Sequence, residues 1–218
     1  MSQVILSQSR ESDRIENELR DLILTLEIEP GLAISEASLI KRFGWGRTPL
    51  REAFQRLAEQ SLLQIIPRRG VVVTPLSVFD FNEVMQAMAM VIGPAASLAC
   101  KNLTDEEFSG LEHTLEQGKV AASKGDYITI AKLDYEFHRI LAVATRNRYL
   151  RHHLLHLHQV ATRFNLASWK RDLNADFSLK EHNDIIIALR KRSEEEARKV
   201  MMEHIENARK RVMGTFQQ

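Results

Sequence analysis

Asp134 and His138 stand four residues apart, the separation that sets two side chains on one face of a helix, where a carboxylate beside an imidazole can chelate a divalent cation. His182 and His204 supply two more imidazoles later in the chain. One carboxylate with three imidazoles suits zinc, nickel, manganese or iron and leaves coordination positions open for water or a carboxylate ligand. A second group is cationic. Arg47, Arg51 and Gln55 are also spaced by four, and arginine forks on an exposed helix face can bond O6 and N7 of guanine. Arg68 and Arg69 follow in the turn-like string Pro67-Arg68-Arg69-Gly70, placed to meet a DNA backbone or minor groove.

The elements that must position these groups can be read from apolar spacing and breakers. Ile15, Leu19, Leu22, Ile23 and Leu26 predict an amphipathic helix from Ser12, the expected cap, to Leu26. A second helix runs from Ser35 to about Phe43, stopped by Gly44 and Gly46 around Trp45. Pro49 is expected to open a third helix with Thr48 as its cap and Leu50, Ala53, Phe54 and Leu57 inward, leaving Arg47, Arg51 and Gln55 facing out. Thr48 and the free N–H groups of that first turn would hold phosphate. Leu62–Ile66 and Val71–Thr74 read as a β-hairpin with the two arginines at its tip. Beyond Pro75 six helices are expected, over 78–102, 105–122, 126–144, 149–169, 179–190 and 194–213, with capping boxes at Thr104/Glu107, Ser178/Glu181 and Ser193/Glu196. The fold class is therefore mainly α: an N-terminal winged helix-turn-helix of three helices and a hairpin over 1–75, then an antiparallel all-α bundle of about six helices over 76–218.

Composition narrows the function. Of 218 residues, 44% are apolar and 27% charged, which excludes disordered and collagen-like classes. The lone Cys100 excludes a disulfide framework. The reading finds no apolar run of membrane length and no signal pattern at the start, so it expects a cytoplasmic protein without a membrane partner. The net charge is only +1, but residues 41–70 carry seven basic against two acidic residues, concentrating an anion-seeking field in the helix-turn-helix.

The string IEPGLAISEASLIKRFGWGRTPLREAFQRLAEQSLLQIIPRRGVVV closely resembles the DNA-binding domain of the GntR family of transcriptional regulators. By that resemblance Arg47 and Arg51 are base contacts, Thr48 a phosphate contact and Gly70 the wing-tip glycine. The segments LDYEFHRILAVATRNRYL, LKEHNDIIIALR and ARKVMMEHIENARKRV resemble the FCD effector domain of the family's FadR-type branch. The resemblance implies that Asp134, His138, His182 and His204 bind a divalent metal, zinc or nickel foremost. It implies a small carboxylate effector such as an organic or sugar acid, a homodimer, operator double-stranded DNA as partner, and repression as the expected outcome.

Three positions depart from the pattern: Ala37 stands where many relatives carry an arginine, and Ala89 and Gly93 where an arginine and a glutamate are usual. In the histidine-rich run RHHLLHLHQ and the residues after it, His153, Arg163 and Asn165 are candidate effector contacts. A metal-dependent enzyme with an accessory DNA-binding domain is the alternative, since such a metal can activate water. No recognisable nucleophile or general base accompanies the ligands, and an enzyme needs no basic recognition helix, so a non-enzymatic regulator is expected.

Overall fold

Ile15, Leu19 and Ile23 recur every four residues and are fully buried, so apolar spacing sets the inner face of the first helix, α1 (Ser2–Leu24). The structure, a computed structural model, describes residues 2–172 and 175–216, with side chains from residue 11 onward. It divides into two compact units, Met1–Leu76 and Ser77–Gln218. In the first, α1 begins well before Ser12. That serine is a buried mid-helix residue, not a cap, and its hydroxyl accepts a hydrogen bond from Arg56 Nη2 at 3.1 Å.

Strand β1 (Ala33–Ile34) leads to α2 (Glu36–Phe43), whose cap Ser35 accepts from the Ser38 backbone N–H at 3.2 Å. Gly44 ends α2 at φ 70°, a left-handed conformation that costs glycine nothing. The next helix, α3 (Arg47–Glu59), is capped by Gly46 rather than Thr48. A Cβ on Gly46 would lie 3.0 Å from the Pro49 ring, a tight approach that favours glycine in the turn between α2 and α3. Pro49 is the third helical residue instead of the first, and its missing N–H still falls among the four donors left unpaired at a helix start. Leu50, Ala53, Phe54 and Leu57 are buried with Trp45, Leu62 and Val73 in this unit's core.

Strands β2 (Leu63–Ile66) and β3 (Gly70–Val73) form the expected antiparallel hairpin, with Leu63 opposite Val73 and Ile66 opposite Gly70. Pro67 sits in the turn, outside the ladder. The two-residue β1, too short for any periodicity, adds an unforeseen third strand in the order β1-β3-β2.

The second unit holds α4 (Val78–Asn102), α5 (Asp105–Ala122), α6 (Tyr127–Ala144), α7 (Arg148–Asp172), α8 (Asp176–Arg190) and α9 (Glu194–Phe216). Helix α4 packs on α9 and α7, α6 on α5 and α7, and α8 on α9. Of the three expected capping boxes, Thr104/Glu107 is complete, and Ser193 accepts from the Glu196 N–H while the Glu196 carboxylate turns to Lys191. Ser178 caps nothing: α8 starts earlier, and the serine is buried inside it. One expectation about membranes needs correcting. By length and composition α4 is apolar enough to cross a bilayer, yet Phe81, Met85, Met88, Ile92, Ala96 and Ala99 pack within the bundle.

Candidate functional site

On α3, burial of Leu50, Ala53, Phe54 and Leu57 turns Arg47, Thr48, Arg51 and Gln55 outward, and all four are exposed. Arg51 donates its Nε–H to Glu36 Oε2 at 2.9 Å, and Arg47 Nε lies 3.3 Å from the other oxygen of the same carboxylate. Arg68, Arg69 and Gly70 are exposed at the hairpin tip, where Arg68 and Gly70 take positive φ values of 65° and 89°. One cation of the basic window is used internally. Arg56 pairs with Asp13 and Glu16 of α1 and donates to Ser12, so it fastens α3 to α1 rather than facing a ligand. Ala37 is exposed on α2, where its methyl group brings neither charge nor a hydrogen-bond donor.

In the helical unit, α6, α8 and α9 bring Asp134, His138, His182 and His204 together, all four nearly inaccessible to solvent. One nitrogen from each imidazole lies within 4.8 Å of the others. His138 Nε2 and His204 Nε2 are 3.3 Å apart, and Asp134 Oδ1 is 3.5 Å from His182 Nε2. Two donors bound tetrahedrally to one ion at 2.0–2.1 Å are about 3.4 Å apart, so both separations suit a shared cation. Among the described residues His182 Nε2 finds no hydrogen-bond partner in its buried position, the 3.5 Å approach to Asp134 being too long for one. A buried donor set with an unsatisfied ring nitrogen fits a metal better than it fits a closed hydrogen-bond network.

The electrostatics agree. Burial pushes the Asp134 carboxyl up to about 6, and Ser178 Oγ donates to its Oδ1 at 3.3 Å. Burial, reinforced by neighbouring imidazoles, holds His138 and His182 well below the usual histidine range, so both stay neutral and able to donate a lone pair. His204 Nδ1 lies 2.8 Å from Glu181 Oε2, and Arg211 grips the same carboxylate through two bonds of 2.7 and 2.8 Å. Burial opposes ionisation of Glu181, but the bonds to His204 and Arg211 win and bring it down to about 2. A carboxylate so placed can accept a hydrogen bond from Nδ1–H and turns His204 Nε2 toward His138, the arrangement that outer partners impose on metal-binding histidines.

The other predicted residues scatter. Asn165 borders a cavity of about 370 Å³ between α7, α8 and α9, whose wall includes Trp169, Asp172, Lys210 and Arg211. Arg163 is fully buried on α7, its guanidinium brought down to about 10 by burial, and does not line that cavity. His153 is exposed, against His152, because the buried stripe of α7 in this stretch runs through Leu154 and His158. His158 is the residue of that run which reaches the cluster, stacked 4.0 Å from His138 and lowered by burial to about 3. Ala89 and Gly93 face α9 and its groove: Ala89 lines a crevice there, and a Cβ on Gly93 would strike Met202. Sequence reasoning missed His158, Glu181 and Ser178; the adjacency of Glu181 to His182 was the one signal that could have drawn attention to it.

A hairpin-flanked recognition helix in one unit and a helical bundle with buried donors in the other define a DNA-binding regulator of transcription. Residues 11–73 match the bacterial regulatory proteins of the gntR family, and residues 83–207 match the FCD domain. The chain belongs to the GntR family and carries its FCD domain. It is 30% identical over 189 residues to the HTH-type transcriptional regulator YdhC of Bacillus subtilis (strain 168), covering 86% of this chain and 84% of that protein. It is 29% identical over 190 residues to the HTH-type transcriptional repressor RspR of Escherichia coli (strain K12), covering 86% and 82%. Among solved structures it shares its fold with E. coli McbR/YncC, with a TM-score of 0.81 at 22% identity over 90% of this chain and 94% of that one. A GntR regulator from Rhodococcus sp. RHA1 gives a TM-score of 0.77 at 23% identity over 94% and 98%.

Proposed function

We propose that this GntR-family regulator is a repressor whose hold on operator DNA is set by a small carboxylate bound beside a metal ion in the helical unit. The observation that carries the reading is the buried meeting of Asp134, His138, His182 and His204, with an unbonded His182 Nε2 among them. These four residues would hold the ion, zinc or nickel by their chemistry, and Glu181 would orient His204. When bound, such an ion supplies open positions for water or a ligand carboxylate.

The cavity between α7, α8 and α9 supports the effector class, and its wall residue Arg211 is tied to the cluster through Glu181 and His204. Lys210 offers a cation to a carboxylate, Asn165 offers an amide, and Asp172 and Trp169 can receive the hydroxyls and face of a sugar acid. On DNA, Arg47 and Arg51 would read bases, Gln55 would reach an adjacent base edge, Thr48 would hold phosphate, and Arg68, Arg69 and Gly70 would form the wing contact. Repression follows the name of RspR. A homodimer, which a two-fold operator demands, is supported by Phe79, Ala87, Met90 and Pro94, exposed along one face of α4, where a second copy would cover them. A DNA-reading regulator of this kind works in the cytoplasm, not at a membrane, and the regulator names of its relatives favour it over an enzyme.

The test is a melting experiment on chelator-stripped protein with Zn²⁺ or Ni²⁺ and a panel of organic and sugar acids. Metal should raise the melting temperature, and at least one acid should raise it further in the presence of metal. No response to any metal would overturn the metal reading, and no response to any acid would overturn the effector class.

A further inference from the structure

We propose that Glu36 is a specificity-positioning residue, which holds Arg47 and Arg51 on one carboxylate and presents their terminal nitrogens to base edges. The proposal rests on α3 being the DNA-reading helix. Arg47 and Arg51 lie four apart on α3 with side chains 70% and 64% exposed, so two like charges face each other across one helical turn and repel. Glu36, in the first turn of α2 and only 26% exposed, stands against both. Each of its oxygens faces one Nε, at 2.9 Å for Arg51 and 3.3 Å for Arg47.

The atoms engaged decide what remains free. With Nε turned to Glu36, the edge left for DNA is the Nη1/Nη2 fork, which can meet guanine O6 and N7 end-on. Held in place beforehand, the two side chains give up less rotamer freedom on docking. The carboxylate also cancels one of the two positive charges and repels phosphate, so it weakens contacts that any DNA sequence could make. Exposed ion pairs add little to stability, and the role here is orientation and discrimination.

The test compares the unmodified protein with Glu36→Gln and Glu36→Ala. The probes are a duplex enriched from a random library by the unmodified protein and a mixed-sequence duplex, each titrated over a range of salt. Both variants should melt as the unmodified protein does, bind the mixed-sequence duplex several-fold more tightly and lose about tenfold of the enriched-to-mixed affinity ratio. Glu36→Asp, which keeps the charge on a shorter arm, should recover part of that ratio. An unchanged ratio, or mixed-sequence binding no tighter than before, would overturn the role of Glu36 alone. If the unmodified protein enriches no sequence, the reading of α3 falls and Glu36 with it.

Discussion

The outer face of α3 and the cluster between α6, α8 and α9 are both built from polar side chains, yet their surroundings are opposite. On α3 the arginines stand in water and meet a partner by losing some of that water, so their usefulness lies in direction and charge. In the bundle the imidazoles and Asp134 are already dehydrated, so burial disfavours their charged forms and leaves them dependent on one another. A surface reader can therefore tolerate substitution without unfolding, whereas the buried donors are tied to the stability of the unit that holds them.

The sharpest way to break this contrast is to remove a buried donor. His182→Ala should lower Zn²⁺ or Ni²⁺ affinity by on the order of 100-fold or more in calorimetric titration, since loss of an outer partner alone costs about 10–100-fold. Glu181→Gln should fall within that smaller range, with His204 losing its anionic partner. Arg51→Ala should cost about 1–3 kcal/mol at the enriched duplex and leave the melting temperature unchanged. At the small end, His153→Ala should alter neither metal affinity nor melting beyond about 0.5 kcal/mol, because the ring is exposed.

Acidity sharpens the same comparison. His138, His158 and His182 have folded values below their unfolded value of about 6.5, so the stability they contribute is full above that pH and is lost as the pH falls from there. Asp134, raised to about 6, has the opposite sign: its contribution is present at low pH and is lost as the pH climbs from the ordinary carboxylate range through about 6. A bound cation needs neutral imidazoles and an ionised carboxylate, so the metal-dependent rise in melting temperature should shrink between about pH 7.5 and 5.5. A rise that grows on acidification would contradict the donor assignment.

How far the sequence revealed these features follows the same division. The helix-turn-helix was legible because Leu50, Phe54 and Leu57 fix one face of α3 and thereby fix the other, and because Gly44 and Gly46 mark the turn. Helix ends read less well. Ser12, Thr48 and Ser178 all have capping chemistry, but tertiary packing drew Ser12 to Arg56 and Ser178 to Asp134. The cluster itself came from a resemblance, since spacing relates Asp134 to His138 but says nothing about where α8 and α9 lie. Among the four histidines of 152–158, periodicity offered no way to see that His158 is the one stacked on His138, because that depends on the rotation of α7 against α6.

Reader and sensor form one device only if occupancy of the helical unit changes the hold of α3 on DNA. The direct measurement is the dissociation constant for the enriched duplex, taken with metal-loaded protein before and after adding the acid that raises its melting temperature most. Coupling of an ordinary size predicts a change of about 5–150-fold, in either direction. Superimposable binding curves, obtained with the acid demonstrably bound, would contradict it.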